Sequence, residues 1–478
     1  AVAALAAPLV EGRAARPPSR GAAPPPGGPR AIVLVTVDTL RPDVLGGGEG
    51  AAATPAIDAL YADSVVFTQA RTAAPWTKPS VASILTGLSP LVHGATSRRT
   101  RLPGEVKTIA ESLREAGYVT IGVGLNVHLE RLFHFAQGFD EYFFPARDDY
   151  GVSLGARLLA LLDAGRFPAL FPSTTAVTDR VLERLAALGE GPFFLWVHVL
   201  DPHWPYEPPP DFAPPPDPAS RIGGRWGEHE TVTSVQAGNV KLGAADRARV
   251  RALYRGEVEY VDANLGRLLD WLRRAGIYED ALIAFTSDHG EEFWEHGRFE
   301  HGHSMYDEVL RVPLAIKRPG SAAHAEIAAI VSNESLTPTL LDLAGCGEGA
   351  GPFTSPSLAG WLDPAAPDPP VEPIYGAGTY YHGEERAVVF DGLKAVLDLE
   401  TGRVELYDLR ADPEERQSID ALRPDDVQRA LELLRARSEA AQALREELGI
   451  AEEAVEVGDA ASRRLRSLGY AGAEGPAR

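Results

Sequence analysis

Three apolar runs, each ending close to an aspartate, constrain the fold of this chain most strongly. The runs and their aspartates are residues 31–37 with Asp38, residues 193–200 with Asp201, and residues 282–285 with Asp288. Runs this apolar are typical of strands that are buried on both faces of a parallel sheet. Ligands of open α/β sheets gather outside the carboxyl ends of such strands. We therefore expect Asp38 and Asp288 to occupy equivalent positions, each at the carboxyl end of a central strand.

The residues after the third run carry the side chains of a candidate metal site. His289 follows Asp288 directly, and three further histidines come soon after it: His296, His301 and His303. A carboxylate beside an imidazole is a mixed oxygen and nitrogen donor set that suits a divalent metal. The alternative is a surface loop that holds several solvated histidines. The buried strand directly before Asp288 favours the metal site.

A hydroxyl group stands at the start of a predicted short helix. The apolar spacing after Pro79 predicts this helix, which places Thr77 just before its first turn. Unpaired backbone N–H groups and the helix dipole favour an anion there. Near a metal held by Asp38 and Asp288, the Thr77 hydroxyl could act as a nucleophile. The alternative is that Thr77 only caps the helix.

Composition narrows the classes of function. The chain has 478 residues and a formal net charge of −21, which argues against binding of nucleic acid. Cys346 is the single cysteine, so no disulfide framework and no thiolate metal cluster is expected. The sequence contains no run of 18 apolar residues, so we expect no transmembrane segment in this chain. Residues 1–30 are rich in Ala, Pro and Gly; we interpret them as a flexible linker and expect an extracytoplasmic (periplasmic or secreted) location.

Several motifs together resemble a known family. They are Asp38-Thr-Leu-Arg-Pro-Asp43, Thr77-Lys-Pro-Ser-Val-Ala-Ser-Ile-Leu-Thr-Gly87, Ser287-Asp-His-Gly-Glu291, Tyr306-Asp-Glu-Val-Leu-Arg-Val-Pro313 and Leu406-Tyr-Asp-Leu-Arg-Ala-Asp-Pro-Glu-Glu415. In this order they resemble the sulfatase family of the alkaline phosphatase superfamily, over roughly residues 31–420. The resemblance implies a metal-dependent ester hydrolase or transferase.

Two positions depart from the family pattern. Sulfatases carry a Cys or Ser that is oxidised to formylglycine, and an Arg that braces it. In the resemblance, Thr77 stands at the position of the Cys or Ser, and Val81 stands at the position of the Arg. Threonine cannot supply the aldehyde hydrate, so a direct Thr77 nucleophile resembles the phosphodiesterases and phosphotransferases of the superfamily. The pair Asp288 and His289 implies Zn²⁺ or Mn²⁺ ahead of Ca²⁺, because imidazole is a nitrogen donor. His301 is similar in placement to a histidine of the lipid-headgroup transferases.

The strand of residues 193–200 adds further candidates. His203 follows it and resembles the family histidine that contacts the leaving group, so it is a candidate general acid beside His301. The alternative for His203 is a loop histidine packed on Trp204. Asp201 could hold a second metal together with His203 and His301. We interpret His198 as a buried core histidine and Asn126 as a solvated loop residue.

The predicted fold class is α/β. We expect a three-layer α/β/α sandwich with a mostly parallel sheet over residues 31–369, and a small α+β C-terminal subdomain over residues 370–478. Short strands near residues 386–390, 393–397 and 403–407 predict an antiparallel sheet in that subdomain, with a closing helix over residues 424–448.

The predicted function is hydrolysis or transfer of a phosphate-type ester. Thr77 would be the nucleophile, and Asp38, Thr77, Asp288 and His289 would hold the metal. One alternative is a sulfuric ester hydrolase that works without formylglycine, and another is a non-catalytic ligand-binding protein. The expected partner is a small-molecule or lipid- or glycan-linked ester; the sequence does not determine the oligomeric state.

Overall fold

The structure is a computed structural model. It describes residues 27–451 and residue 455, apart from residues 49, 145–172, 228, 322–323, 364–370 and 382. Most of the predicted linker, residues 1–30, therefore lies outside the described residues.

An eight-stranded sheet forms the centre of the molecule. Its strands are β1 (Ala31–Val37), β2 (Val65–Arg71), β3 (Val119–Gly124), β4 (Glu141–Phe143), β5 (Phe193–Val199), β6 (Ala281–Ser287), β9 (Leu314–Lys317) and β10 (Ala325–Ser332); β7 (Glu292–Phe293) and β8 (Phe299–Glu300) form a separate hairpin. The strand order is β10-β2-β9-β6-β1-β5-β3-β4, and only the pairs that include β9 are antiparallel. The sheet is mostly parallel, as predicted.

Helices cover both faces of this sheet. In chain order they are α1 (Pro55–Ala62), α2 (Thr77–Thr86), α3 (Pro90–His93), α4 (Ile109–Glu115), α5 (Thr174–Ala186), α6 (His229–Gln236), α7 (Ala244–Arg274), α8 (Asp307–Leu310), α9 (Leu336–Leu343) and α10 (Pro424–Leu448). Alternate residues of a strand face opposite sides. Ile32 and Leu34 of β1 accordingly belong to a core with α2, α4 and α9, whereas Val33 and Val35 belong to a second core with α1, α5 and α7. The three-layer α/β/α prediction is confirmed.

The start of helix α2 was predicted wrongly. The sequence placed it at Pro79, but the helix begins at Thr77. Proline is well tolerated in a first helical turn because the N–H group it lacks has no partner within the helix. Thr77 is therefore the first helical residue and does not lie before the helix.

The C-terminal part forms a second, antiparallel sheet. Its strands are β11 (Ile374–Gly376), β12 (Glu385–Phe390), β13 (Leu393–Asp398) and β14 (Val404–Asp408), in that order across the sheet. Helix α10 packs Ala430 and Leu434 against Val388 and Leu406 of this sheet. The predicted strands and closing helix are confirmed, each within one residue at its start.

A buried charge cluster joins this second sheet to the central part of the chain. The ammonium group of Lys394 on β13 lies 2.8 Å from Asp307 and 2.8 Å from Glu415. Arg71 at the end of β2 pairs with the same Asp307 at 2.6 Å. Removal of one member of such a cluster would leave an uncompensated buried charge. The cluster therefore fixes the second sheet beside the segment after β8.

Among the described helices, none combines the length and the apolar character that crossing a lipid bilayer requires.

Candidate active site

Two fully buried aspartates lie side by side at the carboxyl edge of the central sheet. Asp38 follows β1 and Asp288 follows β6, and these strands are parallel neighbours in which Val37 is paired with Ser287. The backbone N–H of Thr39 donates to Oδ1 of Asp288 at 3.3 Å. The register of two central strands therefore determines how close the carboxylates are.

The aspartate pair has the character of a cation site. Among the described residues, no hydrogen-bond donor reaches Oδ1 of Asp38 or Oδ2 of Asp288, although both oxygens are buried. Burial and the negative charge of Asp38 raise the pKa of Asp288 well above its ordinary value. Burial would also raise the pKa of Asp38, but nearby imidazoles, that of His203 above all, outweigh it and the pKa is lowered. Two buried carboxylates with unused oxygens fit a bound divalent ion.

His289 adds a nitrogen donor to this pair. Its Nδ1 donates to the carbonyl oxygen of Gly290 at 2.9 Å, so its Nε2 carries the lone pair. This Nε2 lies 3.4 Å from Oδ1 of Asp38 and 3.5 Å from Oδ2 of Asp288. Burial and the charge of His301 lower the pKa of His289, which keeps the ring neutral, as a metal ligand must be.

His198 is buried as predicted, yet it also reaches the site. Its Nδ1 lies 3.0 Å from the hydroxyl of Thr36, and its Nε2 lies 3.4 Å from Oδ2 of Asp38. Ligand atoms of Asp38, His198 and Asp288 lie within 4.8 Å of one another. Sequence reasoning had no signal for including His198, because its position inside a buried strand is also typical of a core histidine.

Thr77 lies against this cluster and is fully buried. Its Oγ1 is 3.3 Å from Nε2 of His289 and accepts a hydrogen bond from Nδ2 of Asn126 at 3.1 Å. Helix α2 is anchored here because Oγ of Ser80 donates to the carbonyl oxygen of Asp288 at 2.5 Å. The structure thus brings together four residues that the sequence proposed from three distant segments: Asp38, Thr77, Asp288 and His289.

The interpretation of Asn126 as a solvated loop residue is wrong. Its side chain is fully buried, and its Nδ2 donates to Oδ2 of Asp38 at 2.9 Å as well as to Thr77. Its Oδ1 accepts from the backbone N–H of His128, which fixes the amide orientation. Asn126 comes soon after β3, at the same edge of the sheet as Asp38, and this position was the signal that sequence reasoning undervalued.

Two further histidines stand beside the cluster. The ring of His301 lies 4.3 Å from that of His289 and 5.0 Å from that of His203, measured between centroids. His203 donates from Nδ1 to the carbonyl oxygen of Trp204 at 2.6 Å and also stacks on the Trp204 ring. Nδ1 of His301 lies 2.9 Å from Oε1 of Glu291. Sequence reasoning missed Glu291, whose pKa burial raises to about 8.

The remaining predicted residues lie in other surroundings. The carboxylate of Asp201 accepts a hydrogen bond from the hydroxyl of Thr174 at 2.5 Å. A second metal site of Asp201, His203 and His301 therefore stays a prediction. His296 stacks on Tyr306, and His303 lies 2.9 Å from Glu292, so both have structural partners.

The comparisons with known proteins agree with this fold. An α/β sandwich with carboxylates, an imidazole and a hydroxyl at the carboxyl edge of its sheet defines a candidate centre for chemistry on an anionic ester. A family model described as Sulfatase matches residues 30–346. The chain belongs to the sulfatase family.

Curated relatives have similar but not close sequences. The chain is 28% identical over 338 residues to iduronate 2-sulfatase from Mus musculus, and this alignment covers 61% of this chain and 60% of that protein. It is 28% identical over 358 residues to arylsulfatase from Clostridium perfringens, which covers 66% of this chain and 74% of that protein. The matched part thus spans less than two thirds of the iduronate 2-sulfatase.

A solved structure extends the likeness of fold to nearly the whole chain. The phosphonate monoester hydrolase of Agrobacterium radiobacter matches with a TM-score of 0.66 and 22% sequence identity. The match covers 88% of this chain and 96% of that chain. At this identity the likeness shows the fold alone.

Repulsion within the aspartate pair leads to a prediction about stability. In chelator-treated protein at neutral pH, Asp288→Asn should raise the free energy of unfolding, because it removes one of two buried carboxylates that repel each other. Because the folded-state pKa of Asp288 is raised, the wild-type protein should lose stability as the pH rises above 3.8, and the variant should lose less. Urea unfolding at several pH values measures both effects.

The same variant should respond weakly to added metal. Zn²⁺ or Mn²⁺ should stabilise the wild type and leave Asp288→Asn nearly unchanged, because the variant has lost one of the two carboxylates. A metal-free variant that is less stable than the wild type at neutral pH would contradict the repulsion between the two carboxylates.

Proposed function

We propose that this chain is a sulfatase-like, metal-dependent hydrolase or transferase that acts on phosphate-type esters with Thr77 as its nucleophile. The observation that carries the proposal is the position of the Thr77 hydroxyl, between the amide of Asn126 and Nε2 of His289. A threonine that only caps a helix stands before its first helical residue, whereas the N-cap position of α2 is occupied by Trp76.

Asp38, Asp288 and His289 would hold the ion, with Thr77 as a fourth ligand. The unused oxygens of the two carboxylates support this donor set. When bound, the ion would lower the pKa of the Thr77 hydroxyl, whose proton passes to solvent, and would neutralise charge on the transferred group. Zn²⁺ or Mn²⁺ is expected ahead of Ca²⁺ because one donor is an imidazole.

The residues of the chain would then carry out the transfer. Asn126 orients Oγ1 of Thr77 through its hydrogen bond, and Oγ1 forms a bond to phosphorus while the bond from phosphorus to the leaving oxygen breaks. In both His203 and His301 the Nδ1 atom is engaged by a neighbour, so the proton for the leaving oxygen would come from Nε2. Burial lowers the pKa of His301, so its ring would pass on a proton from the carboxyl group of Glu291, whose pKa is raised to about 8. Attack of water or an alcohol on phosphorus releases the group and restores Thr77.

The surroundings of Thr77 support a direct nucleophile. Val81, at the position of the bracing Arg, is fully buried in the core beneath the sheet. The neighbouring Lys78 donates from Nζ to the carbonyl oxygens of Ser97, Arg98 and Thr100, and burial lowers its pKa well below the ordinary value. These contacts hold its amino group on the backbone, away from the transferred group.

Sulfate ester hydrolysis is the second candidate function. The sulfatase family model and the two curated sulfatases favour it. It would require Thr77 to act on sulfur without the aldehyde hydrate, so the two candidates differ in the atom that is attacked.

A panel of nitrophenyl sulfate, phosphate, phosphodiester and phosphonate esters distinguishes the candidates. The phosphorus esters should be cleaved faster, and Thr77→Ala should lower turnover at least about a thousandfold, or ~4 kcal/mol of barrier. Thr86→Ala, on the same helix, is the matched control and should keep activity. A roughly hundredfold preference for the sulfate ester would replace the proposal with the second candidate.

The histidines should separate into two classes. His289→Ala should lose bound metal and activity together, as elemental analysis and kinetics would show. His203→Ala and His301→Ala should keep the metal but lose activity most on esters with poor leaving groups, which need a proton most. The exposed His324 supplies a control, because His324→Ala should change neither property. Release of a second metal equivalent from His301→Ala would instead indicate the second metal site.

A further inference from the structure

A polar cavity lies between the β7–β8 hairpin and the C-terminal sheet. It has a volume of about 330 Å³, within the range of sites for small molecules. Glu292, Arg298 and His303 line it from the segment around the hairpin, and Glu385 and Glu405 line it from the sheet. Nothing in the chemistry at Thr77 uses these residues.

The cavity is distinct from the candidate active site although the two share one segment. Glu291 and His301 contact each other on the side of His289, whereas their neighbours Glu292 and His303 contact each other and line the cavity. For Glu291 and Glu292 this follows from the geometry of extended chain, in which successive side chains point to opposite sides. His301 and His303 are two residues apart, and the chain turns at Gly302 between them, which has a φ of +79°.

The sheet presents acidic groups to the cavity. Glu385 of β12 is paired in register with Asp398 of β13, so two like charges stand directly opposite each other, which destabilises a sheet. Glu405 of β14 accepts from the hydroxyl groups of Tyr306 and Tyr407. Burial and the charge of Glu405 raise the pKa of Glu385 to about 7. The charged form of Glu385 is therefore disfavoured, and a hydrogen-bond donor on a ligand would stabilise it.

An unsatisfied hydroxyl group provides the second observation. Ser304 lines the cavity and is 5% exposed. Among the described residues, no hydrogen-bond partner reaches its Oγ. A buried hydroxyl without a partner is destabilising, and a ligand with hydroxyl groups would satisfy it.

We propose that this cavity binds a neutral, hydroxyl-rich ligand of monosaccharide size. The wall combines an acceptor (Glu385), a donor (Arg298) and a group that can do both (Ser304), which suits the hydroxyl groups of a sugar. Four carboxylates line the cavity against two guanidinium groups, and the cation His296 is paired with Glu308, so an anion is disfavoured. The carboxylates of the wall are not among the ligand atoms that converge in the described part of the chain, which disfavours a bare metal ion.

Calorimetric titration with D-galactose, D-glucose and D-mannose tests the proposal. At least one sugar should bind with a dissociation constant of roughly 1–10 mM, the range expected for so few contacts. Arg298→Gln and Glu385→Gln should each weaken binding about tenfold, because each removes a hydrogen bond to a charged group.

Two control variants distinguish binding in this cavity from binding at the exposed surface or at the candidate active site. Arg416→Gln changes an exposed arginine outside the cavity, and Thr77→Ala changes the candidate active site; both should keep sugar binding. The proposal is overturned if no sugar binds up to about 50 mM, well above the expected range. It is also overturned if binding is lost in Thr77→Ala but survives both cavity variants, or if Ca²⁺ alone binds in a manner that depends on Glu385.

Discussion

The close approach of two buried carboxylates is the constraint on which the rest of the site depends. Asp38 and Asp288 end adjacent parallel strands in register, and the fully buried runs before them leave no freedom to separate. Two carboxylates side by side in surroundings of low dielectric cannot both stay charged at low cost without a positive partner. The sheet therefore places two carboxylates where a bound cation would be favoured.

The other polar groups of the site surround these two carboxylates. His289 contributes a neutral nitrogen, and Asn126 links Asp38 to the Thr77 hydroxyl through one amide group. Ser80 connects the start of α2 to the backbone of Asp288. Because each contact joins a different segment, the Thr77 hydroxyl is held by tertiary structure and not by its own helix alone. Such a preorganised hydroxyl needs little rearrangement in order to react.

Much of this site could be predicted from the sequence, for a physical reason. A carboxylate directly after an apolar run must lie at the end of a buried strand, so Asp38 and Asp288 were recognisable individually. No local pattern indicates that they are adjacent, because the order of strands is set by crossover connections. Their adjacency was expected only from the general placement of ligands at the carboxyl ends of strands and from the family resemblance. Asn126 was missed because one amide after a strand is equally typical of a turn. Glu291 was missed because its role depends on its contact with the ring of His301, which lies ten residues further along the chain.

The central claim is that Thr77 itself receives the transferred group. Mass spectrometry of protein quenched in acid during turnover of a nitrophenyl phosphate ester tests this directly, since a phosphate ester of threonine survives acid. We predict that the peptide containing Thr77 gains the mass of one phosphoryl group on that residue, and that Thr77→Ala protein gains none. A phosphoryl group on another residue, or turnover by Thr77→Ala at the rate of the wild type, would contradict this claim.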